Sequence, residues 1–317
     1  EAGLSLNERG GICVNESLRT SDASIYAVGD VIEVEDFTFQ NHTMVPLAGP
    51  ANKQGRIAAD NIAGGREIYE GTQGTSIAKV FDLAAASTGA NEKTLKKLNL
   101  KKGIDYESII ITQNSHAGYY PGAVPLTLKM LFSLDGSKIF GAQIVGRDGV
   151  DKRIDTLAVS MRLGAGIRDL KNLELAYAPP FSSAKDPVNM AGFVAENVLR
   201  HLVTFSDWEL SKEDNDAILL DVRENAEVAA FSLPNAVHIP LGELRGRLQE
   251  LNPEKEIITF CAIGVRSYNA ARILMQHGFK KVKLYPGGTR FYQSLYPQPD
   301  AAPLAAAEKV SDTGDVK

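Results

Sequence analysis

From residue 217 onward the sequence alternates short apolar runs with helical patterns. The runs are AILLDV at 217–222, AVHIP at 236–240, IITFC at 257–261 and KVKLY at 281–285. Each is strand-length, and the segments between consecutive runs are long enough for crossovers. Such alternation predicts an α/β unit built on a parallel sheet.

The preceding part of the chain reads differently. The strand-like runs IAKVFDLAAAST (77–88), ESIIITQNSHAGYY (107–120) and LTLKMLFSLDGSKIFGAQIVG (126–146) are followed by amphipathic helices at 150–163 and 188–202, an α+β order. At the start, GICVNESLRTSDASIYAVGD (11–30) predicts strand, turn, strand, with the second strand ending at Gly29-Asp30. A helix follows over 48–63, carrying Ile57, Ala58 and Ile62, with Gly64-Gly65 as its stop. One strand pair and one helix are too little for an independent α/β core, so 1–65 is expected to close a domain that begins upstream. The expected divisions are therefore 1–65, 66–202, 203–300 and a tail at 301–317 with few apolar anchors, expected to fray.

Charge and cysteine content narrow the chemistry. The 34 Lys and Arg against 39 Asp and Glu leave a net charge of −5, with no basic excess for nucleic acid. No 18-residue apolar run or signal-peptide pattern occurs, which predicts a cytoplasmic protein without a membrane partner. Cys13 and Cys261 stand far apart and outside any Cys-x-x-Cys pair, and the five histidines are scattered. Neither a disulfide framework nor a metal site is expected. Cys13, inside a strand-like run without a basic neighbour, reads as structural.

Cys261 reads as a nucleophile. The strand IITF runs into Cys261, Ala262, Ile263, Gly264, Val265 and Arg266, and a helix is predicted over 268–277 with Gly278 as its stop. A thiol between a strand end and a helix N-terminus meets backbone N–H groups and the positive end of the helix dipole, which together stabilise a thiolate. Arg266 adds a fixed positive charge. The competing reading is a buried thiol acting as a small hydrophobe.

With LLDVRENAE (219–227), AVHIP (236–240) and LYPGGTRFY (284–292), this loop resembles the rhodanese sulfurtransferases. The resemblance implies that Cys261 accepts a sulfane sulfur as a persulfide cradled by the N–H groups of 262–266, while Asp221 and Arg223 brace the fold. It also implies a sulfur rather than a phosphate substrate, because the six-residue loop is one residue shorter than that of the phosphatase relatives.

The segment TSDASIYAVGD (20–30) resembles the second flavin motif of the two-dinucleotide-domain disulfide reductases. VPLAGPANKQGRIAADNI (45–62), HAGYYPGA (116–123) and LAYAPPFSSAKDPVNMAG (175–192) narrow the likeness to coenzyme A disulfide reductases with a fused rhodanese domain, a group that includes NADH-dependent persulfide reductases. The resemblance implies the end of an FAD-binding domain, an α+β dimerisation domain and a rhodanese domain, in a homodimer. It implies FAD contacts at Gly29, Asp30, Pro46, Leu47, Ala48 and Tyr177, and coenzyme A contacts at Asn52, Arg56 and Lys185. Tyr119, favoured over Tyr120, and Tyr177 are implied to reach the partner's redox cysteine. A Tyr hydroxyl can hydrogen-bond a thiolate or protonate a leaving thiol.

No Gly-x-Gly-x-x-Gly occurs in the chain. It is accordingly expected to be the C-terminal portion of a longer polypeptide, with the flavin pyrophosphate site, the NADH or NADPH site and the redox cysteine upstream. Three functions stay open: an FAD- and NAD(P)H-dependent reductase of coenzyme A persulfide, polysulfide or disulfide fed by Cys261, a rhodanese acting on thiosulfate or a carrier persulfide, and a non-catalytic sulfur-binding module.

Overall fold

The computed structural model describes residues 2–210 and 216–297. The tail at 301–317 lies outside the described residues. In the first unit, β1 (Ile12–Cys13) pairs in parallel with β2 (Ile32–Glu35), and β3 (His42–Thr43) lies antiparallel to β2. Helix α1 (Ala48–Ile62) sets Ala58 against Leu18, Ile32 and Val34. The strand expected to end at Gly29-Asp30 does not form. Residues 19 and 26 make an isolated bridge, Gly29–Val31 form a single 3-10 turn, and the strand starts only at Ile32. At Gly29 φ is +85°, outside extended geometry, and its N–H is taken by the Gln54 side chain at 2.8 Å.

The middle unit is a five-stranded antiparallel sheet in the order β4-β5-β8-β7-β6. Its strands are β4 (Ser76–Val80), β5 (Leu83–Gly89), β6 (Tyr106–Asn114), β7 (Pro125–Ser133) and β8 (Ile139–Gly146), with α2 (Glu92–Lys97) between β5 and β6. The run read as one strand at 77–88 is a hairpin. Val80 pairs with Leu83, and the turn residue Phe81 sits at φ +54° with its side chain in solvent. Two-residue hairpin loops need this left-handed backbone, normally supplied by Asn or Gly, so Phe81 gave no sign of it. Helices α3 (Val150–Arg162), α4 (Ile167–Asn172) and α5 (Pro187–Leu199) bury Ile154, Leu157, Val188 and Ala191 against Leu128, Met130 and Ile144. Helix α5 stops short of 202, where His201 at φ +53° turns the chain out.

The third unit confirms the predicted parallel sheet, in the order β10-β9-β11-β12. Its strands are β9 (Ile218–Asp221), β10 (Val237–His238), β11 (Ile257–Phe260) and β12 (Val282–Leu284); its helices are α6 (Asn225–Ala230), α7 (Val265–Gln276) and α8 (Gly288–Leu295). Central β11 is buried on both faces. Ile257 packs with Ala270 and Leu274 of α7, while Ile258 and Phe260 pack with Leu233 and Tyr285 on the other side. Helix α7 begins at Val265 rather than 268, so Val265 and Arg266 occupy its first turn.

The second and third units dock through the segment between them. Leu284 N–H donates to Thr204 O, and Ser206 N–H donates to Leu284 O, both at 2.9 Å, so 204–206 extends the sheet beside β12. Phe205 packs against both hydrophobic cores. Arg290 Nη1 donates to Asn114 Oδ1 at 3.0 Å, and Arg272 Nη1 donates to Leu202 O at 2.7 Å. Among the described residues no helix is long and apolar enough to cross a membrane.

Phe205 is only partly buried. Phe205→Ala should therefore cost about 1–3 kcal/mol in urea unfolding, below the ~3–5 kcal/mol of a fully buried Phe. A change within error would show that the units do not depend on this side chain.

Candidate functional site

The Cys261 loop follows directly from β11 and ends at the start of α7. Gly264, at φ +122°, turns the chain into the helix, and no non-glycine residue adopts that conformation without strain. Gly264 N–H donates to Cys261 Sγ at 3.2 Å. The thiol faces Ser267 Oγ at 3.8 Å, and Ser267 Oγ donates to Gly264 O at 2.8 Å. Of the N–H groups expected from 262–266, Gly264's is the one that bonds the sulfur, and Val265 and Arg266 belong to the helix. Cys261 is 1% exposed and packs within the core of its unit.

The other wall of the loop is Gly287-Gly288, which sequence reasoning left without a role. Thr289 N–H donates to Cys261 O at 2.8 Å and Arg290 N–H to Ala262 O at 3.1 Å. A Cβ on Gly288 would stand 2.5 Å from Cys261 O. Only glycine allows this approach.

Arg266 does not stand as a free charge. Its Nη1 and Nη2 donate to Glu227 Oε2 and Oε1 at 2.5 and 2.6 Å. The Arg266 pair, with help from the Glu224 N–H, holds the Glu227 carboxyl down at about 2 against the opposing effect of burial. The Arg266 guanidinium is shifted upward, first by Glu227 and to a lesser degree by Cys261. Sequence reasoning missed Glu227 as a partner, although it ends the quoted motif LLDVRENAE. Asp221 and Arg223 are buried and paired at 2.6 Å, and Arg223 also donates to Phe231 O, tying β9 to the end of α6.

The second cluster joins two loops. Tyr119 and Tyr177, 58 positions apart, meet through their hydroxyls at 3.0 Å, on the surface. Tyr177 is shifted upward, first by that hydrogen bond. Tyr120 instead sets its ring edge-on to His116, with centroids 5.8 Å apart. Below them lies a buried pair absent from the sequence reading. Arg153 donates to Asp186 Oδ2 through Nε at 3.1 Å and Nη2 at 2.9 Å, and to Ser115 O at 2.8 Å. Asp186 also accepts from Ser182 Oγ at 2.6 Å and from Val188 N–H, capping α5. Ala117 N–H donates to Pro179 O at 3.3 Å. The network thus fixes the 115–122 and 177–186 segments to one another.

Lys185 is exposed beside this network and lines a cavity of about 370 Å³. The same cavity is lined by Ile263, Gly264 and Tyr268 of the third unit and by Phe193 and Phe205. The structure therefore brings Lys185 to the Cys261 loop. It does not bring Asn52 or Arg56 there. Both are exposed on α1 and engage their own helix, Asn52 through Ala48 O at 3.5 Å and Arg56 through Asp60 at 3.8 Å.

At the first unit, Gly29 and Asp30 lie beside the start of α1, with Gly29 facing Ala51. Pro46 and Ala48 are exposed, and the N-cap Leu47 offers no side-chain acceptor to the first N–H groups of α1. Unpartnered helix donors beside an exposed carboxylate fit a cofactor bearing phosphate and sugar hydroxyls. Cys13 donates to Glu33 at 3.6 Å and is shifted upward, chiefly by burial. Among the described residues no cluster of metal-ligating side chains occurs.

Arg153→Met would leave Asp186 buried and unpaired, so a loss of about 3–5 kcal/mol is expected in urea unfolding. A loss below 1 kcal/mol would mean that Asp186 finds another partner. The Glu227 pair has its own pH signature. Its carboxyl is lowered, so the stabilisation is complete above the unfolded value near ~4.3 and is lost as pH falls toward about 2. The melting difference between parent and Glu227→Gln should be flat above pH 5 and shrink below it; a difference that grows on acidification would contradict the pairing.

Residues 1–55 match the model described as pyridine nucleotide-disulphide oxidoreductase, 75–187 match that family's dimerisation domain, and 207–294 match the rhodanese-like domain. The coenzyme A disulfide reductase of Staphylococcus epidermidis is 40% identical over 192 residues, covering 60% of this chain and 42% of the relative. The crystal structure of reduced Bacillus anthracis CoADR-RHD superposes with a TM-score of 0.86 at 49% identity, over 93% of this chain and 53% of that one. The NAD-dependent persulfide reductase from A. fulgidus gives a TM-score of 0.83 at 42% identity, over 92% and 52%. The chain spans about half the length of these relatives. These three matched regions, in this order and with this fold, make the chain a homologue of the coenzyme A disulfide reductases, with pyridine nucleotide-disulphide oxidoreductase regions followed by a rhodanese-like one.

Proposed function

We propose that this chain forms part of an FAD- and NAD(P)H-dependent, cytoplasmic homodimer that reduces coenzyme A persulfide, polysulfide or disulfide, with sulfur passing through a Cys261 persulfide. The observation that carries the reading is the Gly264 N–H on Cys261 Sγ, in a loop that shares a cavity with Lys185. The names of the similar proteins, coenzyme A disulfide reductase and NAD-dependent persulfide reductase, support the same substrate class. The match to the dimerisation domain and the exposed Tyr119, Tyr177 and Phe181 support the dimer.

The roles divide by unit. Gly29, Asp30, Pro46, Leu47 and Ala48, with Tyr177, would hold FAD, which supplies hydride equivalents from NADH or NADPH when bound. Tyr119 and Tyr177 give a proton to a departing thiolate or hydrosulfide; their mutual hydrogen bond aims one hydroxyl with the other. Lys185 pairs with a phosphate of coenzyme A, while Asn52 and Arg56 on α1 offer it a separate amide and cation away from the Lys185 cavity. In the loop, the Cys261 thiolate attacks a terminal sulfane sulfur, the donor's S–S bond breaks, its thiolate leaves with the electron pair, and the Gly264 N–H stabilises the resulting persulfide. With Cys261 almost fully enclosed, the donor must present that sulfur as a projecting end atom.

A second reading, sulfur transfer alone on a dimeric scaffold, is favoured by the loop's self-sufficiency: Cys261, Gly264, Ser267 and Gly288 all come from one unit. NADH oxidation by a polypeptide carrying the nucleotide-binding half as well separates the two. Coupled reduction is expected to turn over coenzyme A persulfide faster than coenzyme A disulfide, and to fall with Cys261→Ser. Disulfide turnover equal to persulfide turnover and untouched by the substitution would sink the coupling.

A further inference from the structure

We propose that Glu227 selects the class of sulfur donor, admitting persulfides and polysulfides whose reacting end carries a single negative charge and disfavouring dianionic thiosulfate. The inference rests on the sulfur-transfer reading of Cys261.

A loop built to seize a dianion would offer a guanidinium fork free to clamp it. Here both terminal nitrogens of Arg266 are taken by Glu227, at 2.5 and 2.6 Å. Nor is Glu227 loosely placed. Its Oε2 also accepts the Glu224 N–H at 3.0 Å, closing a capping box that anchors the carboxylate to the start of α6. Arg223, the neighbouring cation felt by Glu227, is consumed by Asp221 through Nε and Nη2. These two guanidiniums are thus each matched by one carboxylate, so inside the loop the attraction left for an anion is chiefly the partial charge of backbone N–H groups, with Lys185 as the cation lining the adjoining cavity. That partial charge serves one thiolate or persulfide charge. A second charge on the donor meets the Glu227 carboxylate instead.

The two donors react with the same balance. With thiosulfate, the Cys261 thiolate bonds to the sulfane sulfur, the S–S bond to sulfite breaks, and sulfite leaves with the electron pair. With an alkyl persulfide, the thiolate bonds to the terminal sulfur, the alkyl thiolate leaves with the electron pair, and the terminal sulfur keeps its proton or charge. No external oxidant or reductant enters. The donors differ in the charge delivered beside Glu227, so removing that charge should move one rate and not the other.

The experiment follows Cys261 persulfide formation by intact mass, as the gain of one sulfur atom. The full chain is compared as parent, Glu227→Gln and Glu227→Asp, with thiosulfate and with glutathione persulfide. Glu227→Gln is expected to raise the thiosulfate rate about tenfold and leave the persulfide rate within about twofold, the scale of one partly screened charge interaction. Glu227→Asp, which keeps the charge, is expected to keep the parent's donor ratio. The ratio is read within each variant, so a smaller folded fraction does not alter it. A ratio unchanged in Glu227→Gln, or shifted as much in Glu227→Asp, overturns the inference while leaving sulfur transfer intact. Failure of both donors to load the parent overturns the sulfur-transfer reading itself, and the inference with it.

Discussion

The middle unit depends on one buried ion pair. Arg153 and Asp186 are each almost fully enclosed, and taking both charges out of water is costly unless every donor and acceptor is used. They are used: Arg153 reaches Gly149 O, Ser115 O, Ser182 Oγ and the carboxylate, while Asp186 also caps α5. Its consequence reaches the surface. Ser115 begins the turn that carries Tyr119, and Ser182 lies just beyond Tyr177, so the pair that satisfies the interior also sets the distance between two exposed hydroxyls.

The third unit solves a similar problem with more freedom. Its Asp221–Arg223 pair is enclosed and braces β9, whereas Glu227–Arg266 stays about one-third open to solvent. Screening limits what such an open pair adds to stability. Position gives it a different value, because it holds a guanidinium beside the thiol without leaving that charge unopposed. The same residue type is structural in one pair and electrostatic in the other, and the difference lies in solvent access.

The parallel sheet and the Cys261 loop were legible in the sequence because both are written in continuous segments. IITF followed by a glycine-containing turn carries strand, loop and helix start within a dozen residues. The errors arose where a local signal was missing or overridden. Phe81 takes a turn conformation for which it has no preference, and Gly29 looked like a strand end when its positive φ begins a separate turn. Glu227 and Arg266 are 39 positions apart and Arg153 and Asp186 are 33 apart. Neither separation has a period that sequence reading could use. The Tyr119–Tyr177 meeting was equally invisible to periodicity; the resemblance named both residues but not their contact.

The junction between the second and third units has a physical logic of its own. A thiol with 1% exposure reacts only with what the surrounding surfaces deliver to it. Residues 204–206 bond along β12 while Phe205 reaches both cores, so the loop and Lys185 line one cavity rather than riding on tethered, independent bodies. Fixing two walls before a substrate arrives removes an ordering cost from binding. It also restricts what can enter: a largely apolar lining that includes one lysine and the Cys261 loop suits a molecule with a charged group and a sulfur end better than one that is charged throughout.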